Sequence, residues 1–158
     1  MRYFLLDKIT AFEPGKRACG VKCVTLTDDI LHDHFPDHPM LPGALLLESM
    51  SQLGGFLVEL SFHQPGAAVR RAVLAQIKDA KFHDICEPGD RIEIEAVLES
   101  RLESAARVTV MAAVEDEKVA RAELTFMLRE VDSARVHEQR RQIYQVWTRD
   151  LNPPPLIP

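Results

Sequence analysis

The chain has 158 residues, 46% hydrophobic and 27% charged, the composition of one soluble globular domain large enough to build a core without disulfides or metal. A formal charge of −5 excludes a nucleic-acid binder that depends on broad phosphate neutralisation. Cys19, Cys23 and Cys86 are too few for a closed disulfide framework, so a reducing compartment, the cytoplasm, is expected.

Residues 3 to 12 and 16 to 26 have strand-like composition and flank the turn signal Glu13-Pro14-Gly15, which predicts a hairpin. Charge at Asp7 and Lys8 interrupts the first segment too early for the apolar region of a signal peptide. Residues 27 to 42 have no period and contain His32, His34 and His38 with Pro36, Pro39 and Pro42, so they predict an irregular loop. From Gly43 the composition changes to helix formers, apolar nearly all the way round, with Gly54-Gly55 as the first breakers. The apolar run from Gly43 to Leu60 contains Glu48, Gln52 and Glu59, which argues for a helix inside a core and against a membrane span.

After Gln64-Pro65-Gly66, four strand-like segments follow: Val69 to Phe82, the stretch around Ile92 to Glu99, the stretch around Val108 to Val114, and Val119 to Arg129. Ile92, Ile94, Ala96 and Leu98 alternate with Glu93, Glu95 and Glu99, and Val108, Val110, Ala112 and Val114 repeat the period of two. Glu87-Pro88-Gly89-Asp90 and Glu115-Asp116-Glu117-Lys118 are the expected turns. The class is α+β: an antiparallel sheet that curls around one central helix to bury it. Ala134 to Trp147 is rich in charge and predicts a surface helix, followed by a stiff tail at Asn152-Pro153-Pro154-Pro155. Residues 1–130 are thus the expected main domain, and 131–158 an added helix with a proline-rich tail.

Chemistry concentrates in His32-Asp33-His34-Phe35-Pro36-Asp37-His38 and in the helix after it. The histidine string approaches the His-x-His-x-Asp-His run of binuclear zinc hydrolases but is out of register by one residue, so no metal is expected. Gly43 opens the helix, its N–H has no intrahelical partner, and the missing Cβ leaves room for a carbonyl oxygen to approach. Pro42 stiffens the start. Glu48 stands among Leu45, Leu46, Leu47 and Met50, where loss of water favours the protonated carboxyl and suits it to donate a proton. Gln52, four residues on, is placed to orient Glu48.

The string His34-Phe35-Pro36-x-x-Pro39-Met40-x-Pro42-Gly43, followed by Leu47-Glu48-Ser49-Met50-Ser51-Gln52, resembles the active-site signature of the 3-hydroxyacyl-[acyl-carrier-protein] dehydratases of the FabZ type. The resemblance extends from Tyr3-Phe4-Leu5-Leu6-Asp7-Lys8-Ile9 through Ile77-Lys78-Asp79-Ala80-Lys81-Phe82 and Pro88-Gly89-Asp90 to Leu128. It implies a hotdog fold, with an antiparallel sheet wrapped round the long helix. It also implies a homodimer, or a larger assembly of dimers, with His34 of one protomer facing Glu48 of the other. The implied reaction removes water from a (3R)-3-hydroxyacyl thioester on an acyl carrier protein and uses no cofactor. His34 is the general base, Glu48 the general acid, and Gly43, Pro42, Phe35 and Gln52 shape the oxyanion and substrate site.

Two residues depart from the family pattern, Asp33 preceding His34 in place of glycine and Gln76 in place of a glycine beside the tunnel, and the C-terminal helix with the Pro153-Pro154-Pro155 tail lies outside that pattern. Arg70, Arg71, Lys78 and Lys81 are candidates for contacting an acidic carrier. The alternatives are a hotdog acyl thioesterase and a non-catalytic acyl-binding or assembly subunit; neither nucleic acid nor membrane is an expected partner.

Overall fold

The computed structural model describes residues 3–158. Six strands form one antiparallel sheet: β1 (Lys8–Glu13), β2 (Arg17–Cys23), β3 (Arg70–Phe82), β4 (Arg91–Arg101), β5 (Ala105–Val114) and β6 (Glu117–Glu130), in the order β1-β2-β4-β5-β6-β3. The 20-residue helix α1 (Gly43–Phe62) packs against five of them, and α2 (Ala134–Thr148) follows the last. This is the hotdog arrangement. The period of two in β4 and β5 is the reason for it: Ile92, Ile94, Ala96, Val108, Val110 and Ala112 all lie on the covered face and are almost fully buried. Met50, Leu53, Phe56 and Leu57 of α1 meet them with no exposed surface.

Four details differ from expectation, each for a local reason. Strand β1 begins at Lys8 because the backbone of Tyr3 to Leu5 bonds to α1 side chains rather than to a neighbouring strand. Helix α1 runs straight through Gly54-Gly55; at Gly54 a Cβ would stand 3.0 Å from the Phe126 ring, so this glycine admits β6 to the helix rather than ending it. The turn before β6 is only Glu115-Asp116, both at positive φ, with Glu117 and Lys118 already in the strand, a geometry suited to a two-residue hairpin. Finally, α2 is more than a polar surface helix.

Ser133 caps α2 by accepting from Val136 N–H at 3.3 Å, and one stripe of the helix buries Tyr144 and Trp147 at 1% exposure. An aromatic series runs inward from it, Trp147 to Tyr144 at 5.7 Å, Tyr144 to Phe56 at 5.0 Å and Phe56 to Phe12 at 5.1 Å between centroids. Beneath it lies a charged cluster. Glu59 of α1 accepts from Arg71 Nη1 at 2.9 Å, Tyr144 Oη at 2.8 Å and Ala72 N–H at 3.0 Å, and Arg71 Nε donates to His137 Nδ1 at 3.2 Å. Among the described residues, Arg71 Nη2 is buried without a partner.

The proline-rich tail turns back on the protein: Leu151 and Ile157 pack against the core and Asp150 pairs with Lys8 at 2.6 Å. Among the described residues no helix is long and apolar enough to cross a membrane.

Candidate active site

The loop between β2 and α1 is irregular, as its composition requires, but it is held by its own hydrogen bonds. Phe35 and His38 exchange backbone bonds at 3.0 and 3.1 Å, Met40 N–H donates to His34 O at 2.9 Å, and Leu41 N–H ties the loop to Cys86 O at 2.8 Å. These contacts fix the half-buried His34. Its Nδ1 lies 3.1 Å from Met40 O; a carbonyl oxygen only accepts, so Nδ1 is the donor and the neutral form of the ring has its lone pair on Nε2. Phe35 stacks on the imidazole at 4.3 Å and is itself half exposed. The Asp33 side chain is exposed, and the group that orients His34 is the Met40 carbonyl.

Pro42 O accepts from Leu45 and Leu46 N–H at 2.9 and 3.0 Å and closes the first turn of α1. Gly43 N–H is the first donor of that helix, at the positive end of its dipole. A Cβ on Gly43 would meet the Phe82 ring at 3.1 to 3.3 Å, so the glycine lets the ring at the end of β3 lie close against the helix start, and a larger residue would push that ring aside by a few tenths of an ångström. Phe82 is a site neighbour that no spacing rule reveals, since it lies 39 residues away across a strand edge.

Glu48 is half-buried rather than enclosed by leucines, because Leu45 and Leu47 on either side of it are themselves half-buried in the single chain. Gln52 Nε2 donates to Glu48 Oε1 at 2.9 Å and to Tyr3 O at 3.0 Å, while Gln52 Oε1 accepts from Leu5 N–H at 2.9 Å. The amide therefore spends both donors and one acceptor position on fixing the carboxyl and fastening the first segment of the chain to α1. Beside Glu48 runs a solvent-open groove of about 130 Å³, with Ser51, Gln52, Glu59 and Arg140 on it as well as Gly55 and Phe126. His34 does not line it.

One expectation needs correction. Arg71 is buried and paired with Glu59, so it cannot face a carrier protein, whereas Lys78 and Lys81 are exposed. Gln76 lines a surface groove with Lys78, Ser100 and Thr125. Among the described residues no group of three or more His, Cys, Asp or Glu side chains is placed to share a metal ion.

Residues 1–123 match the FabA-like domain. The chain belongs to the FabA-like family. Its FabA-like relatives include the 3-hydroxyacyl-[acyl-carrier-protein] dehydratase FabZ of Bacillus velezensis, 37% identical over 128 residues that cover 81% of this chain and 89% of the relative. The enzyme of the same name from Clostridium acetobutylicum is 36% identical over 78% of this chain and 86% of its own length. Among solved structures, smu.793 from Streptococcus mutans bound to acetyl CoA shares the fold at a TM-score of 0.61 and 19% identity, over 80% of this chain and 90% of that one. The FabA-like match stops before α2.

Proposed function

We propose that this FabA-like protein dehydrates (3R)-3-hydroxyacyl thioesters of an acyl carrier protein to trans-2-enoyl thioesters in acyl-chain biosynthesis, with residues 1–130 as the catalytic unit. The observation that carries the assignment of roles is the pair of fixed side chains: His34 with its Nδ1 proton committed to Met40 O, and Glu48 held by Gln52. His34 Nε2 takes the α-proton, and negative charge develops on the thioester oxygen facing Gly43 N–H. The C–O bond at carbon three then breaks, Glu48 gives its proton to the departing hydroxyl, and water leaves. Phe35 and Pro42 shape the approach to the thioester.

The site is assembled by two protomers, His34 from one and Glu48 from the other. Strand β3 supports this reading, because it is an edge of the sheet bonded only to β6 and presents half-exposed Val73 and Ile77, with Phe82 and Ile85 at its end. Pairing with a second copy would cover an edge of that kind. Lys78 and Lys81 are available to an acidic carrier. The free thiols of Cys19, Cys23 and Cys86 suit the cytoplasm.

The test is complementation between inactive variants. His34→Ala and Glu48→Gln should each lower enoyl-thioester formation by about a hundredfold or more. Refolded together in equal amounts, half the dimers are mixed and each has one intact site, so roughly a quarter of native activity should return. If mixed dimers form and activity stays at the level of the parents, the shared site is wrong. Release of free thiol from the hydroxyacyl substrate in place of enoyl product would instead identify a thioesterase.

A further inference from the structure

The FabA-like match ends at residue 123, so what α2 adds must be sought in the residues it touches. Trp147, one of its two buried aromatic residues, stands edge-on to the half-buried Phe4, at 6.2 Å between centroids and 82° between ring planes. Phe4 lies between the two residues whose backbone holds Gln52: Leu5 N–H donates to Gln52 Oε1 at 2.9 Å, and Tyr3 O accepts from Gln52 Nε2 at 3.0 Å. Gln52 Nε2 also donates to Glu48 Oε1 at 2.9 Å. We propose that Trp147 and Phe4 are positioning residues for proton transfer from Glu48: α2 pins the first segment of the chain, that segment sets which end of the Gln52 amide faces Glu48, and the amide places the Glu48 proton on Oε2. The proposal rests on the dehydratase reading of the same site.

The oxygen and nitrogen of a glutamine amide exchange places by a half-turn about one bond, and one end accepts where the other donates. A backbone N–H only donates and a carbonyl only accepts, so Leu5 and Tyr3 together admit one of the two orientations, with Nε2 toward Glu48. In that orientation Glu48 Oε1 accepts, and the neutral carboxyl carries its proton on Oε2. From there the proton goes to the hydroxyl on carbon three as the C–O bond breaks, leaving a carboxylate and water. Turned over, the Gln52 oxygen would accept the carboxyl O–H itself and hold that proton away from the substrate.

A terminal segment stays ordered only where it is tied down. Here the tie to the sheet begins at Asp7, whose N–H donates to Val21 O at 2.9 Å. Among the described residues, the hydrogen bonds of Tyr3 to Leu5 all run to α1, to Gln52 and to Ser49, whose Oγ donates to Leu5 O at 3.3 Å. The Tyr3 side chain is exposed, whereas Phe4 packs against the core beside Trp147. Trp147 is itself fixed: it lies 5.7 Å from the Tyr144 ring, the Tyr144 hydroxyl donates to Glu59 at 2.8 Å, and Asp150, two residues past the helix, pairs with Lys8 at 2.6 Å.

The experiment is a double-mutant cycle between Phe4 and Gln52, read by the kinetics of a carrier-bound 3-hydroxyacyl thioester and by NMR of the glutamine side-chain amides. Phe4→Ala should lower kcat about tenfold while KM stays within about twofold, because the thioester binds as before and only the proton transfer is misplaced. Gln52→Leu should lower kcat at least as far, and adding Phe4→Ala to it should cost less than about twofold more. A merely structural Phe4 would lower kcat by the same factor in both backgrounds. Trp147→Phe keeps an aromatic edge against Phe4 and should hold kcat within about threefold of native, whereas Trp147→Ala should match Phe4→Ala. Trp147→Ala also opens the core, so the half-buried Phe4 carries the cycle. The Gln52 amide resonances, identified by their loss in Gln52→Leu, should move toward those of exposed glutamines in Phe4→Ala and stay in place in Trp147→Phe. Additive losses across the cycle, or Gln52 resonances that Phe4→Ala leaves unmoved, would overturn the proposal. A native chain that forms no enoyl product would sink the dehydratase reading instead, with the resonances still deciding whether α2 sets the Gln52 amide.

Discussion

Replacing Arg71 by leucine isolates the charged cluster that joins α1, β3 and α2. The substitution removes the 2.9 Å bond to Glu59 and the 3.2 Å bond to His137. Glu59, 3% exposed, keeps the Ala72 N–H and the Tyr144 hydroxyl but loses its counter-charge, and breaking a buried pair in this way costs about 3–5 kcal/mol. With 158 residues at about 2.1 cal/mol/K each, the unfolding entropy is about 330 cal/mol/K, so the melting temperature should fall by about 9–15 °C. Adding Glu59→Gln removes the stranded charge while the amide oxygen still accepts from Ala72 and Tyr144, so the double variant should regain about 2 kcal/mol. Calorimetry gives both values, and hydrogen exchange should show the α2 amides losing protection before those of β4 and β5. A single variant melting within about 3 °C of the native protein, or a double variant no more stable than the single, would show that the cluster does not carry this energy.

Gly43→Ala should leave the melting temperature within about 3 °C, because the gain in helix propensity offsets the displaced Phe82 ring, yet lower kcat/KM at least tenfold by crowding the N–H at the helix start; steady-state kinetics beside a thermal melt separates the two. Burial, and then the neighbouring Glu59 charge, push the Tyr144 phenol well above its ordinary value. Below about pH 10 the phenol is neutral in folded and unfolded chains alike; above it the unfolded chain ionises first, so this stabilisation is complete below pH 10 and fades by about 1.4 kcal/mol per pH unit beyond it. Urea midpoints between pH 9 and 11 should show that slope, and Tyr144→Phe should flatten it.

What the sequence makes legible follows from range. The alternation of β4 and β5 is written into neighbouring residues, because one face of the sheet meets α1 and the other does not. The Glu48–Gln52 bond is a four-residue helical relation, and His34 is marked by the motif around it. Long-range contacts leave no such mark. Arg71 reads as an ordinary strand charge until Glu59 is seen beneath it, and the burial of Tyr144 and Trp147 depends on Phe56 and Phe4, remote in sequence. Tyr3 and Leu5 have strand composition, yet Gln52 takes their backbone groups first.

The place of β3 bears on how the chain is made. Its only partner in the sheet is β6, in a register running from Arg70 opposite Glu130 to Phe82 opposite Ala120. At about 5–20 residues per second, a ribosome adds the 38 residues from Phe82, the end of β3, to Ala120, its first partner in β6, in about 2–8 s. Throughout that interval β3 has neither edge paired, and Val73, Ile77 and Phe82 face whatever is nearby. The nascent chain therefore passes through a stage in which its most adhesive strand is complete before the strand that masks it exists, and polysomes that bring several such chains together would set them against one another at that stage.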